Sequence, residues 1–158
     1  MKTLVAYGTK HGASEKCAKL LVEKLDGEVD VVNLKGSSIN LSQYDKVVIG
    51  GSVYAGMMRK EVKQFLAANL EAIKNKKFGL FVCGMSDGEQ MGKIIEMVYP
   101  QELRDKAAAV SSFGTQMFMK DLGFFERFIV KTIAKTDTDV NKIDTAAIAG
   151  FAEKINNA

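Results

Sequence analysis

The first part of the chain constrains the fold most. A short apolar strand over residues 3–7 runs into a loop of small and hydroxyl-bearing residues (8–14), and an amphipathic helix over 14–25 follows directly. The first N–H groups of a helix have no intrahelical partner, and the helix dipole places its positive end at the same point. This order of elements therefore predicts a phosphate-binding loop between the strand and the helix.

The loop itself narrows the kind of ligand. It lacks the G-x-G-x-x-G pattern of dinucleotide-binding folds and the Gly-Lys-Ser/Thr ending of a P-loop. It carries Thr9, His11, Gly12 and Ser14 instead. Hydroxyl and imidazole groups among main-chain amides suit a phosphate monoester that is held without a metal ion. We predict neither a metal site nor a catalytic side chain.

Length, charge and cysteine content exclude several classes of protein. A chain of 158 residues is expected to form a single domain over residues 1–158. Its net charge of +3 is too small to indicate nucleic-acid binding. No apolar run is long enough to span a bilayer, and the N-terminal pattern is that of a strand rather than a signal peptide. Cys17 and Cys83 fit no metal-ligand spacing, and Cys17 is predicted to be a buried free thiol, so we expect a cytoplasmic protein.

Strand and helix patterns alternate along the chain. Further strands are predicted over residues 28–34, 46–50, 77–83 and 107–113. Two helices with apolar stripes lie between them, over 58–73 and 91–98. The last helix is predicted to begin near Asp144, with a buried face made of Ile148, Phe151, Ala152 and Ile155. Parallel strands joined by right-handed helical crossovers predict an α/β three-layer sandwich.

Three of the predicted strands end in similar loops. The first is the phosphate loop, and the other two are glycine-rich and cover residues 50–56 and 84–88. In a parallel sheet a ligand lies where the strands end, near the point at which the strand order reverses. Glycine lets the backbone approach a ligand closely, so these loops favour a site for a flat ring beside the phosphate. The alternative is that they are only tight strand-to-helix turns.

With this loop and this order of elements, the whole chain resembles the flavodoxin family. Residues 9–14 lie where that family carries the motif T-x-T-G-x-T. The resemblance implies a five-stranded parallel sheet in the order 2-1-3-4-5 and FMN as the cofactor. It assigns the phosphate to the side chains of Thr9, His11 and Ser14 and to the amides of Lys10, His11, Gly12, Ala13 and Ser14. It assigns the flavin ring to two flanking groups, which are Ser52, Val53, Tyr54 and Gly56 on one side and Gly84, Met85, Ser86 and Gly88 on the other.

Three features depart from that family's pattern. His11 stands in place of a threonine, and its imidazole adds charge to the phosphate site or acts in proton transfer; the alternative is a solvent-facing side chain or a simple hydrogen bond to the phosphate. The chain has no tryptophan, so Tyr54 is the best candidate to stack on the flavin, with Met57 and Met85 as softer partners. Electron-carrier flavodoxins are strongly acidic, whereas this chain is slightly basic, so we expect weak steering towards basic partners.

An extra segment precedes the last helix, over residues 115–138. Its core, 122–135, is predicted to be an amphipathic helix with a basic stripe of Arg127, Lys131 and Lys135. The apolar face is predicted to comprise Leu122, Phe125, Phe128, Ile129 and Ile133. Such a helix binds an anionic membrane surface or an acidic partner, so we expect peripheral contact with the inner face of the membrane. The alternative is a helix that packs on the sheet edge with its charges in solvent.

The same segment carries a second resemblance. Residues 125–131 and 136–139 are similar to the corresponding region of the quinone-dependent protoporphyrinogen oxidase family, and so are residues 48–54. Proteins of that family are flavodoxin-like, bind FMN and associate with the membrane. The resemblance implies electron transfer from a tetrapyrrole precursor to menaquinone.

Two functional hypotheses follow. In the first, an FMN-dependent oxidoreductase passes electrons from a small reduced substrate to a quinone or similar acceptor, and the flavin carries the redox chemistry. In the second, the chain is a one-electron carrier that serves a reductase or a metalloenzyme. A third reading, a phosphate-receiving regulator, needs acidic residues at the ends of the first and third strands. The sequence has Tyr7-Gly8 and Gly50-Gly51 at those points, which argues against it.

Overall fold

A parallel β-sheet forms the centre of the molecule. The computed structural model describes residues 1–86, 88–133 and 139–158. Its elements follow in the order β1 (Lys2–Gly8), α1 (Ala13–Val22), β2 (Glu28–Asn33), β3 (Lys46–Tyr54), β4 (Met57–Met58), α2 (Lys60–Lys74), β5 (Lys77–Cys83), α3 (Gly88–Val98), α4 (Gln101–Lys106), β6 (Ala109–Ser112), β7 (Gly114–Met117), α5 (Phe124–Ile133), β8 (Val140–Ile143) and α6 (Thr145–Asn156).

The five parallel strands lie in the order β2-β1-β3-β5-β6. Counted along the chain, this is the predicted order 2-1-3-4-5. The chain leaves β1 to form β2 on one side and then returns to form β3 on the other, so the order reverses between β1 and β3. The register pairs Gly8 with Gly51 and Ser52 with Cys83. The loops that follow β1, β3 and β5 therefore meet at one edge of the sheet.

Helices cover both faces of the sheet, which confirms the three-layer arrangement. On one face, Cys17 and Leu21 of α1 pack with Phe151 and Ile155 of α6. On the other face the helical layer comes from α2, α3 and α4, whose buried residues include Val62, Leu66, Ile73, Met91 and Leu103. Strand β3 lies between the two layers and is buried over residues 46–51, as its apolar sequence predicts.

The last helix agrees closely with its sequence pattern. Asp144 is its N-cap, and the Asp144 side chain accepts a hydrogen bond from the Ala147 N–H at 2.9 Å. The buried face is the predicted one and comprises Ile148, Phe151, Ala152 and Ile155. The strand predicted over residues 107–113 is shorter in the structure, because residues 107–108 and Phe113 lie outside β6.

Three features of the fold were not predicted from the sequence. Strand β4 pairs antiparallel with the end of β3. Helix α4 forms a short element before β6. Strands β7 and β8 pair antiparallel as a separate two-stranded ribbon, with Gly114 opposite Ile143 and Met117 opposite Val140. Along the chain, β7 precedes α5 and β8 follows it.

The buried face of α5 differs from the prediction. Phe125 and Phe128 were expected on the apolar face, but their side chains are 78% and 64% exposed. Val130 is buried in their place, whereas Leu122, which precedes the helix, is buried as predicted. Helical periodicity identifies an apolar face but does not show which residues of the helix face the protein. Here Glu126 and Val130 contact the rest of the protein and set the orientation of the helix about its axis. The side chains of Ile129 and Ile133 lie outside the described part, as do residues 134–138 with Lys135.

Within the three described ranges, no helix has both the length and the apolar character needed to cross a membrane.

Candidate functional site

A cavity opens at the edge of the sheet where β1, β3 and β5 end, beside the point at which the strand order reverses. In folds of this type that position is the ligand site. Most of the residues predicted for the site line this cavity, namely Lys10, His11, Ala13, Ser52, Val53, Tyr54, Gly56, Gly84 and Met85. The predicted residues that do not line it are Thr9, Gly12, Ser14, Ser86 and Gly88.

The phosphate loop leaves the N-terminus of α1 open. Gly12 is the N-cap residue, with φ +92°, and no side chain caps the helix. The Gly12 N–H donates to the Thr9 hydroxyl at 2.9 Å, and the Lys16 N–H donates to the Gly12 carbonyl at 3.0 Å. The amides of residues 13–15 precede the first helical hydrogen bond and have no carbonyl within the helix. Thr9 therefore shapes the loop, while the helix offers its first amides to an anion.

Ser14 contacts a residue of β3 through its hydroxyl. Its side chain is buried, and its Oγ lies 2.7 Å from the Oγ of Ser52 at the end of β3. This hydroxyl pair ties the phosphate loop to the second glycine loop. Ser14 thus offers its amide to a ligand at the helix N-terminus, and a role of its hydroxyl in phosphate binding stays a prediction.

The end of β3 supplies the aromatic side chain of the cavity wall. Tyr54 lines the cavity, and its hydroxyl donates to the backbone carbonyl of Glu126 at 3.1 Å. Lys10 Nζ lies 5.3 Å from the centroid of the Tyr54 ring. Burial, reinforced by the charge of Glu126, raises the pKa of Tyr54, so this side chain stays neutral. Met57, a predicted stacking partner, is 64% exposed and does not line the cavity.

The third loop is divided between two clefts. Gly84 and Met85 line both the main cavity and a neighbouring cleft. Ser86 and Gly88 line the neighbouring cleft alone. Met85 is therefore the residue of this loop that lies best to contact a ring in the main cavity.

The extra segment closes the cavity from the remaining side. Thr115, Gln116 and Met117 of β7 line it, and so does Val130 of α5. The sequence identified this segment as an insertion but gave no sign that it covers the site. To predict this position, one would have to know which strand pairs with β7. That strand, β8, lies more than twenty residues further along the chain, so the local sequence does not indicate the pairing.

Charged groups converge at the rim of the cavity. The Glu126 carboxylate pairs with Lys10, Nζ to Oε1 at 3.3 Å, and also accepts a hydrogen bond from His11 Nε2. Burial acts to raise the pKa of Glu126, but the hydrogen bond from His11 and the charges of His11 and Lys10 outweigh it and hold that pKa below its ordinary value. Glu126 is therefore ionised near neutral pH.

Both cysteines are buried free thiols, as predicted for Cys17. Cys83 ends β5 and lines the cavity. Its hydrogen bond with Cys17, together with burial, raises the pKa of the Cys83 thiol well above its ordinary value. Cys83 thus behaves as a neutral, apolar part of the wall. Among the residues whose placement is described, no group of three or more His, Cys, Asp or Glu side chains could hold a metal ion.

An open parallel sheet with an uncapped helix N-terminus and an adjoining aromatic and thioether-lined cavity at the reversal point defines a mononucleotide-binding α/β protein. Residues 4–144 match the sequence profile described as a flavodoxin domain. The chain belongs to the flavodoxin family. No curated protein matches it.

Solved flavodoxins share this fold at low sequence identity. Flavodoxin 1 from Bacillus cereus is 16% identical over 99% of this chain and 98% of its own, with a TM-score of 0.62. Megasphaera elsdenii flavodoxin is 17% identical over 99% of both chains, with a TM-score of 0.63. Streptococcus pneumoniae flavodoxin is 14% identical over 99% of both chains, with a TM-score of 0.60.

FMN is the cofactor of this family, as the sequence predicted. The residues present fit it. The open N-terminus of α1 suits its phosphate, and Tyr54 and Met85 suit its ring.

Proposed function

We propose that this chain is an FMN-dependent oxidoreductase that takes electrons from a small reduced substrate and passes them to a quinone or similar acceptor. The observation that carries the proposal is the extra segment. Its inner side, with Met117 and Val130, walls the cavity, while its outer side is exposed and aromatic. This wall bounds the cavity, and a bounded space suits a small substrate beside the cofactor.

The roles of individual residues follow from their positions. The first amides of α1, with Lys10 and His11, hold the phosphate. Tyr54 and Met85 contact the ring, and Val130 excludes water on the side of the cavity that α5 covers. When bound, FMN supplies the electron-accepting and electron-donating chemistry, and the protein positions it and sets its surroundings.

The second candidate is a one-electron carrier in the narrow sense, which the family supports directly. Stepwise anaerobic reduction of the FMN-loaded protein separates the two, followed by visible absorption. An oxidoreductase should pass from the oxidised to the fully reduced spectrum with little half-reduced protein. Accumulation of half-reduced protein over most of the titration would instead favour the carrier.

The second resemblance suggests a donor for this chemistry. Protoporphyrinogen oxidases of the quinone-dependent type remove electrons from a tetrapyrrole precursor. We expect the FMN-loaded protein, given protoporphyrinogen and a soluble quinone without oxygen, to produce porphyrin fluorescence. If the protein reduces quinone with another small reduced donor but produces no porphyrin, the oxidoreductase proposal stands and the tetrapyrrole substrate is ruled out.

The outer face of α5 favours peripheral contact with an anionic membrane. Phe124, Phe125 and Phe128 are 82%, 78% and 64% exposed. Arg127 and Lys131 lie on the same helix and are exposed. Exposed aromatic side chains flanked by cations are the pattern of a helix that lies in the headgroup region. A membrane-dissolved quinone would meet the protein on this side.

Vesicle flotation tests the membrane contact. The protein should bind vesicles that contain anionic lipid, and Phe124→Ser, Phe125→Ser and Phe128→Ser together should weaken binding about tenfold or more. Neutralising Arg127, Lys131 and Lys135 should weaken it as well. Met97→Ser is a matched control, because Met97 is 73% exposed on α3. If the unaltered protein leaves such vesicles unbound, the membrane contact is wrong.

A further inference from the structure

One acidic residue lies against the groups that are assigned to the phosphate. Glu126 belongs to α5, yet its carboxylate pairs with both Lys10 (3.3 Å) and His11 in the phosphate loop. Its backbone carbonyl accepts the hydrogen bond of the Tyr54 hydroxyl at 3.1 Å. A single residue of the extra segment thus contacts three side chains that line the cavity.

The position of Glu126 limits what its carboxylate can do. The side chains of Glu126 and His11 are 21% and 18% exposed, so this contact is largely shielded from solvent. Glu126 itself does not line the cavity, whereas Lys10 and His11 do. An ionised carboxylate has no hydrogen to donate, so it cannot bind a phosphate itself. It can only act on the donors that do.

We propose that Glu126 is an internal competitor for the phosphate-binding groups and thereby sets how strongly the site prefers FMN over flavins that lack the phosphate. This inference rests on the proposed FMN site. In the ligand-free protein the carboxylate occupies Lys10 and His11. A phosphate monoester, which carries nearly two negative charges at neutral pH, must share those donors or displace Glu126 from them. The carboxylate thus lowers affinity for the anionic end of the ligand.

A rival role would be orientation, in which Glu126 holds Lys10 and His11 ready for the phosphate. The two roles predict different changes in phosphate affinity when the charge of Glu126 is removed. Glu126→Gln separates them, because glutamine has nearly the same shape and keeps a carbonyl oxygen that Lys10 and His11 can still reach. The substitution removes the charge and leaves most of the orientation. Competition predicts tighter phosphate binding in the variant, and orientation predicts unchanged or weaker binding.

The test compares three ligands in the unaltered protein and in Glu126→Gln. Inorganic phosphate is followed by the NMR shifts of the amides of residues 10–15, and FMN and riboflavin are followed by flavin fluorescence. We expect inorganic phosphate and FMN to bind about tenfold more tightly to the variant, because one nearby negative charge is lost. Riboflavin should change by less than about twofold, since it lacks the phosphate. Glu153→Gln is the matched control, because Glu153 is exposed on α6.

The outcomes are distinguishable. Weaker or unchanged FMN and phosphate binding in Glu126→Gln would overturn the competition. Equal tightening of FMN and riboflavin would overturn it as well, because the effect would then not act through the phosphate. If the unaltered protein binds neither flavin, the proposed FMN site fails. The phosphate titration still decides the role of Glu126 in that case.

Discussion

A single buried lysine shows how one residue joins distant parts of this fold. Lys46 begins β3 and is only 7% exposed. Its ammonium donates to the carbonyls of Ile155 at 2.7 Å and Asn156 at 3.2 Å, at the C-terminal end of α6. The last carbonyls of a helix lack intrahelical partners and carry the negative end of the dipole. Lys46 therefore caps a helix that lies more than one hundred residues further along the chain.

Replacing Lys46 tests this contact. Lys46→Met keeps most of the apolar stem but removes the ammonium that donates to both carbonyls, of which Ile155 still accepts from the Ala158 N–H at 3.3 Å, so the free energy of unfolding should fall by about 1–3 kcal/mol. Urea unfolding measures the change. Lys77→Met is the matched control, because Lys77 is the register partner of Lys46 on β5 and is exposed. The control should move stability by less than about 0.5 kcal/mol. Equal effects in both variants would contradict the capping role.

At the scale of elements, the β7–β8 ribbon and α5 form one wall of the proposed flavin site. The ribbon joins the main sheet through the Gly84 N–H, which donates to the Gly114 carbonyl at 3.1 Å. Gly114 has φ +73°, and a Cβ at this position would lie 1.9 Å from the Lys142 carbonyl oxygen. Only glycine allows β7 and β8 to approach this closely beside the cavity.

Gly114→Ala should disturb the ribbon strongly. The added methyl group meets backbone rather than a movable side chain, and the left-handed backbone adds further strain. We expect the free energy of unfolding to fall by about 2–4 kcal/mol. Gly150→Ala, in the exposed middle of α6 with open space around it, should instead raise it by about 0.5–1 kcal/mol. Chemical denaturation measures the free energy of unfolding of both variants. An unchanged value for Gly114→Ala would contradict the close approach of β7 and β8.

The contact of Glu126 with the phosphate loop should give a pH signature. Its pKa is lowered below the ordinary value of 4.5, so the pair contributes stability above that pH and loses it as the pH falls through the lowered pKa. In the ligand-free protein, we expect the unaltered chain to be more stable than Glu126→Gln near neutral pH. The difference should vanish in acid. Thermal unfolding between about pH 3 and pH 7 measures it, and a constant difference would argue against the ion pair.

At the scale of the whole molecule, local patterns predicted the framework well. The strand, loop and helix at the start of the chain, the glycine loop after β5 and the apolar stripe of α6 each lie where their sequences indicate, whereas β3 continues to Tyr54 through most of the loop predicted over 50–56. These features depend on neighbours along the chain or on the general rules of parallel sheets. They predicted the α/β class and the edge of the sheet that holds the site, and the sheet order and the cofactor followed from the resemblance to the flavodoxin family.

Features that depend on distant partners were not predicted. Nothing local pairs β7 with β8, because each strand has only four residues and their partners are set by the tertiary fold. The predicted orientation of α5 about its axis was wrong for the same reason. A hydrophobic stripe favoured burial of Phe125 and Phe128, whereas the polar residue Glu126 turns inward to meet Lys10 and His11. The contact of the Ser14 hydroxyl in α1 with Ser52 in β3 was not predicted either, because the two residues are 38 positions apart in the chain.

The most direct test of the central claim is titration of the ligand-free protein with FMN, followed by flavin absorbance and fluorescence. We predict a saturable complex of one FMN per chain. In Gly12→Val, FMN binding should be abolished, because valine is strained at φ +92° and the loop could no longer present its amides. A protein that leaves the spectrum and fluorescence of FMN unchanged would contradict the account, and so would a Gly12→Val variant that binds FMN as the unaltered chain does.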